Sequence, residues 1–244
     1  MKRKLFILAL LMAFSAPMFA QQAPNNPLSH IQTRLANAPT LDSLLVMISA
    51  LEHARATTPN AYLNYWEAYV LYRLTSFYED GDGNQRKKAE GAVDKGIGLL
   101  EGIKAKTSEH YALLSLLQGE QLAFANVVTV AFKAPAVAAS ARKAIQMDPN
   151  NLRGYLALAI YDFNTPKLYG GGKLVEENLK KALSLPIKAD PNPYAPDWGQ
   201  ASAYWHLVMF YKNEGQLSLA KQYALVGASK YPLNQALQTL NSKL

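Results

Sequence analysis

The feature that most constrains the fold lies near the C-terminus, where two helical patterns flank a glycine. Across residues 204–211, aromatic and aliphatic side chains recur at i, i+3, i+4 and i+7, so they share one face of a helix. Gly215 then offers the left-handed conformation that commonly ends a helix. The second pattern combines small residues on one side with a proline that stops the helix: Ala220, Ala224, Gly227 and Pro232. Residues 201–231 are therefore predicted to form two short antiparallel helices, with aromatic side chains packed against small ones.

This order of aromatic, leucine and tyrosine followed by glycine, alanine and proline resembles a tetratricopeptide (TPR) repeat, a helical hairpin of about 34 residues. Residues 144–151 resemble the junction between two TPR hairpins, in which Pro149 ends one helix and Asn151 caps the next. Because a single hairpin cannot bury its own faces, the resemblance implies stacked units. It predicts an all-α fold, a short TPR-like solenoid of antiparallel helical hairpins at about 60–104, 108–148, 151–185 and 201–231.

The first twenty residues have the layout of a secretory signal peptide. A basic start at residues 1–4 precedes an apolar run and a stretch of small residues that ends at Ala20, and the apolar run is short for a membrane span. A retained membrane anchor is the alternative. Cleavage after Ala20 leaves a flexible arm at 21–27 and a single TPR-like helical domain at 28–244. We therefore expect a bacterial protein that is exported to the periplasm or associated with the outer membrane, without a stable membrane span after leader cleavage.

Composition excludes several classes of function. The 244 residues include no cysteine, which rules out disulfides, thiolate catalysis and thiolate metal sites. The formal net charge of +7 falls to +4 when the three basic residues of the leader are removed. The few basic runs do not form a stripe with interleaved aromatic residues, so we expect no nucleic-acid partner.

No group of residues has the pattern of a catalytic or metal-binding site. The glycine-rich stretch 170–173 lacks the spacing and the Ser/Thr of a phosphate loop, and the acidic turn 79–84 lacks the ligand pattern of a calcium loop. The histidines lie on separate predicted helices without metal-ligand spacing: His30, His53, His110 and His206. We therefore expect no enzymatic activity, no cofactor and no metal site.

The TPR resemblance also implies where partners bind, because the first helix of each TPR hairpin lines a concave groove. In the last two units the corresponding residues are Arg153, Leu156, Ile160, Phe163 and Asn164, then Ser202, Trp205, Met209, Lys212 and Asn213. The Lys/Asn clamp that some TPR proteins use on peptide carboxylates is absent, since Leu156 and Ile160 occupy those positions. Such an apolar, aromatic groove with a basic edge suits an amphipathic helix, an apolar peptide or a small apolar ligand. Alternatively, the same residues pack against the N-terminal helices.

Two functions fit these expectations. The first is a non-enzymatic TPR-like scaffold that mediates protein–protein or peptide interaction in the cell envelope. The alternative is a periplasmic small-ligand-binding helical protein associated with a transporter, because residues 166–172 resemble an insertion found in some exported TPR-like proteins of that kind. A closed cavity beneath Trp205 and Phe163 favours the ligand, and an open groove favours a peptide or protein partner.

Overall fold

The computed structural model describes residues 35, 40–58, 60–78, 83–187 and 194–244. Within these residues there are ten α-helices and no β-strand, so the prediction of an all-α fold is confirmed. The expected leader, arm and first part of the acidic turn lie outside the described residues. The helices are α1 (Leu41–Thr57), α2 (Ala61–Thr75), α3 (Gly83–Glu101), α4 (Ser108–Leu122), α5 (Val127–Met147), α6 (Leu152–Asn164), α7 (Val175–Ser184), α8 (Gln200–Asn213), α9 (Leu217–Lys230) and α10 (Gln235–Ser242).

The helices stack in the manner of a helical-repeat protein. Successive helices pack in pairs, α2 with α3, α4 with α5, α6 with α7, and α8 with α9. The first helix of each pair also contacts the first helix of the next pair, from α2 through α4 and α6 to α8. At the two ends, α1 packs on α2, and α10 packs on α8 and α9. This nearest-neighbour arrangement is how a solenoid buries a continuous core.

Side-chain caps fix where several helices begin. The Thr40 side chain accepts a hydrogen bond from the Ser43 amide at 3.2 Å, and the Asn151 side chain accepts one from the Arg153 amide at 2.8 Å. Both bonds satisfy amides that have no partner within the first turn of a helix. The predicted N-cap at Asn151 is therefore confirmed, and Thr40 caps α1 in the same way.

The C-terminal hairpin packs as its residue pattern predicts. Leu207 and Tyr211 on α8 are fully buried, as are Ala220 and Ala224 on α9. A Cβ atom on Gly227 would lie only 3.0 Å from the Cβ of Tyr204, so the absence of a side chain there allows the two helices to approach. Gly215 joins them with a φ of 72°, the left-handed value that favours glycine.

Candidate functional site

A cavity of about 810 Å³ lies against the first helices of the stacked pairs. Its lining comes from α2, α4, α6 and α8, from the connector between α7 and α8 (residues 185–199, of which 185–187 and 194–199 are described), and from the segment around the start of α10. The aromatic side chains in this lining are Trp66, Tyr69, Tyr72, Phe163, Trp198, Trp205 and Tyr231. A second cavity of about 510 Å³ adjoins it, because Leu35, Arg73 and Trp205 line both.

One wall of the cavity is an aromatic layer built by α2 and the connector. The rings of Tyr69 and Trp198 stack with centroids 4.2 Å apart and an interplanar angle of 20°. The Trp198 Nε1 donates a hydrogen bond to the Tyr65 hydroxyl at 2.9 Å, and the Trp66 Nε1 donates one to the Tyr194 carbonyl at 3.0 Å. Because both indole N–H groups are bonded, the described part of the connector at residues 194–199 is held against α2.

The buried guanidinium of Arg153 also holds this connector in place. The Arg153 Nη2 donates to the Glu109 Oε1 at 2.7 Å, and its Nη1 donates to the Trp198 carbonyl. Burial acts to lower the pKa of Arg153, but the Glu109 carboxylate outweighs it, and the net effect is a raised pKa. Arg153 therefore remains charged inside the protein and links α6, α4 and the connector.

His206 on α8 contributes an imidazole to the cavity lining. Its Nδ1 lies 2.8 Å from the Ser202 carbonyl oxygen, so Nδ1 carries a proton and donates it to that oxygen. Burial lowers the pKa of His206 to about 4, although the Ser202 bond acts in the opposite direction. The ring is therefore neutral near pH 7.

The cavity also carries charge. Arg73 and Lys230 supply positive charge, while Glu120 and Asp197, both of which already interact with other groups, supply negative charge. Arg73 hydrogen bonds to Tyr69, whose pKa is nevertheless raised because burial outweighs that bond. The Lys230 side chain is exposed. Both cations are thus placed to meet an anionic group on a bound molecule.

The structure distributes the sequence-predicted groove residues among three environments. Ile160, Phe163, Asn164, Ser202 and Trp205 line the cavity. Arg153 and Leu156 are buried, the former in its pair with Glu109. Three others, Met209, Lys212 and Asn213, are not part of the cavity lining. Participation of any of these residues in binding stays a prediction.

Sequence reasoning did not single out the aromatic wall or the cavity histidine. Tyr69 and Trp66 belong to an aromatic-rich helix that reads as core, and Trp198 lies in a proline-rich connector without a helical period. Only the position of α2 could have indicated Tyr69 and Trp66. This helix is the first of its pair, like α4, α6 and α8, and the first helix of each TPR hairpin lines the groove. His206 follows Trp205 directly, and its approach to Phe163 on α6 depends on tertiary packing.

The part of the chain that the structure describes contains neither a metal-binding cluster nor a membrane-spanning helix. Among the described residues, no cluster of three or more His, Asp or Glu side chains is arranged to hold a metal ion. In the same part of the chain, no helix combines the length and apolarity that crossing a membrane requires.

Comparison with known proteins rests on the fold. Neither a family model nor a curated protein sequence matches the chain. Among solved structures, a thermophilic TPR protein from Thermus thermophilus superposes with a TM-score of 0.64 at 17% identity, covering 89% of this chain and 96% of that one. The HusA haemophore from Porphyromonas gingivalis superposes with a TM-score of 0.60 at 19% identity, covering 80% of this chain and 96% of that one. The chain thus has a TPR-like helical-repeat fold, as its C-terminal motif predicts.

Proposed function

We propose that this protein is an exported binding protein that holds a flat, largely apolar small molecule bearing carboxylates in its aromatic cavity. The observation that carries the proposal is the cavity of about 810 Å³ walled by the stacked pair Tyr69 and Trp198 and completed by Phe163 and Trp205. Ligand sites of small molecules typically measure roughly 300–1,000 Å³ and combine apolar walls with a few polar groups.

The chemistry of the wall favours a planar ligand. Aromatic rings attract other π-systems in offset-stacked or edge-on geometry. Among the described residues, Trp66 and Tyr69 are buried and lie behind the wall, and the rings with surface open to a ligand are those of Tyr72, Phe163, Trp198, Trp205 and Tyr231. The hydrogen bonds of Trp198 to Tyr65 and of Trp66 to Tyr194 fix the wall in advance, so binding does not have to order it. A carboxylate on the ligand can pair with Arg73 or Lys230.

Haem is the first molecule of this class to test. It is planar, largely apolar and carries two carboxylates, and one solved structure with a similar fold is described as a haemophore. The leader expected at residues 1–20 supports the same proposal, because a binding protein for an external nutrient is exported. We therefore propose a non-enzymatic role in the bacterial cell envelope, with haem or a related planar molecule as the ligand.

Titration of haemin into the chain from Gln21 onward tests the proposal, with ligand absorption and tryptophan emission as readouts. We expect saturable one-to-one binding and quenching of tryptophan emission. Trp205→Leu should weaken binding about 30-fold, the effect of losing an aromatic anchor worth about 2 kcal/mol. Phe132→Ala is the control, because Phe132 is 82% exposed on α5 and does not line the cavity. Absence of binding, or equal binding by both variants, would contradict the proposal.

A peptide or protein partner is the second candidate function. The observation that favours it is the adjoining cavity of about 510 Å³, which extends the binding surface along Trp205 toward Leu240 and Lys243 on α10 and at the C-terminus. An extended segment lying along both cavities would behave as a groove-bound peptide. In that case Trp205→Leu abolishes capture of native partners, and haemin neither binds nor competes.

A further inference from the structure

We propose that the Nε2 atom of His206 is an axial ligand to the iron of a haem bound in the cavity, an inference that rests on the function proposed above. His206 lies one turn after Ser202 on α8 and within the cavity lining. Among the described residues, no other histidine lines this cavity.

The hydrogen bonding of the ring leaves the required nitrogen available. Nδ1 donates to the Ser202 carbonyl at 2.8 Å, and the Ser202 hydroxyl lies 3.3 Å from the same nitrogen. With the proton on Nδ1, the lone pair of the neutral ring is on Nε2, at the edge of the ring away from the helix backbone. Metal-binding histidines commonly show this arrangement, in which one nitrogen bonds a backbone carbonyl and the other binds the metal.

Neighbouring aromatic rings fix the orientation of the imidazole. The Trp205 ring lies edge-on to it at a centroid distance of 4.9 Å, and the Phe163 ring lies edge-on at 6.2 Å. These contacts come from α8 and α6, so two helices hold the ring in place.

The number of available ligands favours a metalloporphyrin over a bare ion. Among the described residues, no three His, Asp or Glu side chains are arranged to hold a metal ion, and a zinc site takes three or four protein ligands. A metalloporphyrin brings four nitrogen ligands of its own and takes only one or two from the protein. A single cavity imidazole is therefore sufficient for haem and insufficient for zinc.

The buried histidine on α4 provides an internal contrast. The Nδ1 of His110 accepts a hydrogen bond from the Thr107 amide at 3.0 Å, which places the proton on Nε2. That Nε2 is buried and faces no hydrogen-bond acceptor among the described residues, while the ring lies edge-on to Tyr65 at 5.8 Å. His110 thus has the opposite tautomer and does not line the cavity, and we assign it no ligand.

Paired titrations with haemin and with iron-free protoporphyrin IX test the assignment. The proteins are the wild type, His206→Phe, His206→Ala, and His53→Gln as a control on an exposed histidine of α1. Thermal unfolding followed by circular dichroism establishes that each variant is folded. We expect the wild type and His53→Gln to give the absorption spectrum of a nitrogen-ligated haem. Both His206 variants should lose that spectrum and bind haemin at least about 10-fold more weakly.

The comparison of ligands separates a metal bond from lost packing. Protoporphyrin has no iron, so the His206 variants should lose much less affinity for it than for haemin. Free imidazole should restore the nitrogen-ligated spectrum in His206→Ala. If the wild type binds haemin and the His206 variants show the same spectrum, the ligand assignment is wrong while the proposed function stands. If the wild type binds neither porphyrin, the ligand assignment and the proposed haem function are both wrong.

Discussion

Arg153 holds Trp198 in two ways: its Nη1 donates a hydrogen bond to the Trp198 carbonyl at 2.5 Å, and its guanidinium carbon lies 5.7 Å from the Trp198 ring centroid. The same guanidinium pairs with Glu109 on α4. One buried cation thus joins α6, α4 and the connector. It contacts the residue that stacks on Tyr69 in the cavity wall, and we expect that stacking to depend on this attachment.

Replacement of the buried cation is expected to destabilise the protein. Arg153→Met leaves the half-buried Glu109 carboxylate without its partner, and loss of one member of a buried ion pair typically costs about 3–5 kcal/mol. Urea denaturation measures the change in the free energy of unfolding. Lys212→Met, at an exposed lysine of α8, should change it by less than about 0.5 kcal/mol. Equal denaturation midpoints for the two variants would show that the pair of Arg153 with Glu109 does not stabilise the fold.

Two neighbouring positions on α8 should separate packing from binding. Leu207 is fully buried, so Leu207→Ala leaves a cavity in the core and should cost about 2–5 kcal/mol. Trp205 is half-buried and lines the binding cavity, so Trp205→Ala should cost much less stability and weaken ligand binding instead. Denaturant melts combined with ligand titration compare the two. If Trp205→Ala unfolds as easily as Leu207→Ala, then Trp205 is part of the core.

The buried histidine of α4 should make stability depend on pH. Burial, with a smaller contribution from Lys106, lowers the pKa of His110 to about 4 from the ordinary value of 6.5. Between these values the unfolded chain binds the proton more readily than the folded chain, so the free energy of unfolding falls as the pH drops from about 6.5 to 4. The low pKa of His206 adds to the same trend.

A single substitution isolates the part of this trend that comes from His110. Thr107 and His110 form a capping box. A glutamine at position 110 can accept the hydrogen bond from the Thr107 amide, and it does not titrate. The loss of stability from pH 6.5 to 4, measured by urea denaturation, should therefore be smaller in His110→Gln than in the wild type. His53→Gln, at an exposed position, should follow the wild type. Parallel pH profiles for His110→Gln and the wild type would rule out His110 as the titrating group.

Two glycines with opposite surroundings should respond in opposite directions to alanine. A Cβ atom on Gly171 would lie 1.9 Å from the Thr165 carbonyl oxygen, so Gly171→Ala should destabilise the turn before α7 by about 1–3 kcal/mol. Gly91 lies in α3 with no atom within 4 Å of the added Cβ, so Gly91→Ala should stabilise the protein by about 0.5–1 kcal/mol. Thermal unfolding of the two variants shows whether each substitution raises or lowers the melting temperature. A stabilised Gly171→Ala variant would contradict the close contact at Thr165.

Local signals in the sequence account for most of the fold. The helical period around Leu207, the left-handed position at Gly215 and the caps at Thr40 and Asn151 all act between residues close in the chain, so they can be recognised without a structure. The long helix α5 is harder to predict, because its β-branched start and the internal Pro135 both weaken a helical pattern.

The site depends on contacts that the sequence does not encode locally. Trp198 contacts Tyr65, which is 133 positions away in the sequence, and Arg153, which is 45 positions away. No periodic pattern in the connector predicts either contact. The apolar positions Leu156 and Ile160 follow the helical period equally well, yet only Ile160 lines the cavity. The rotation of a helix about its own axis decides which of its residues face the cavity. That rotation follows from tertiary packing rather than from the spacing of residues in the sequence.

The most direct test of the central claim, that the aromatic cavity binds a planar ligand, is a crystal structure of the protein with haemin. Anomalous scattering measured at the iron absorption edge locates the metal independently of the rest of the map. We expect one iron peak inside the cavity between Trp198 and Trp205, close to the Nε2 atom of His206. A bound haem with its iron on the outer surface of the protein, away from these residues, would contradict the account.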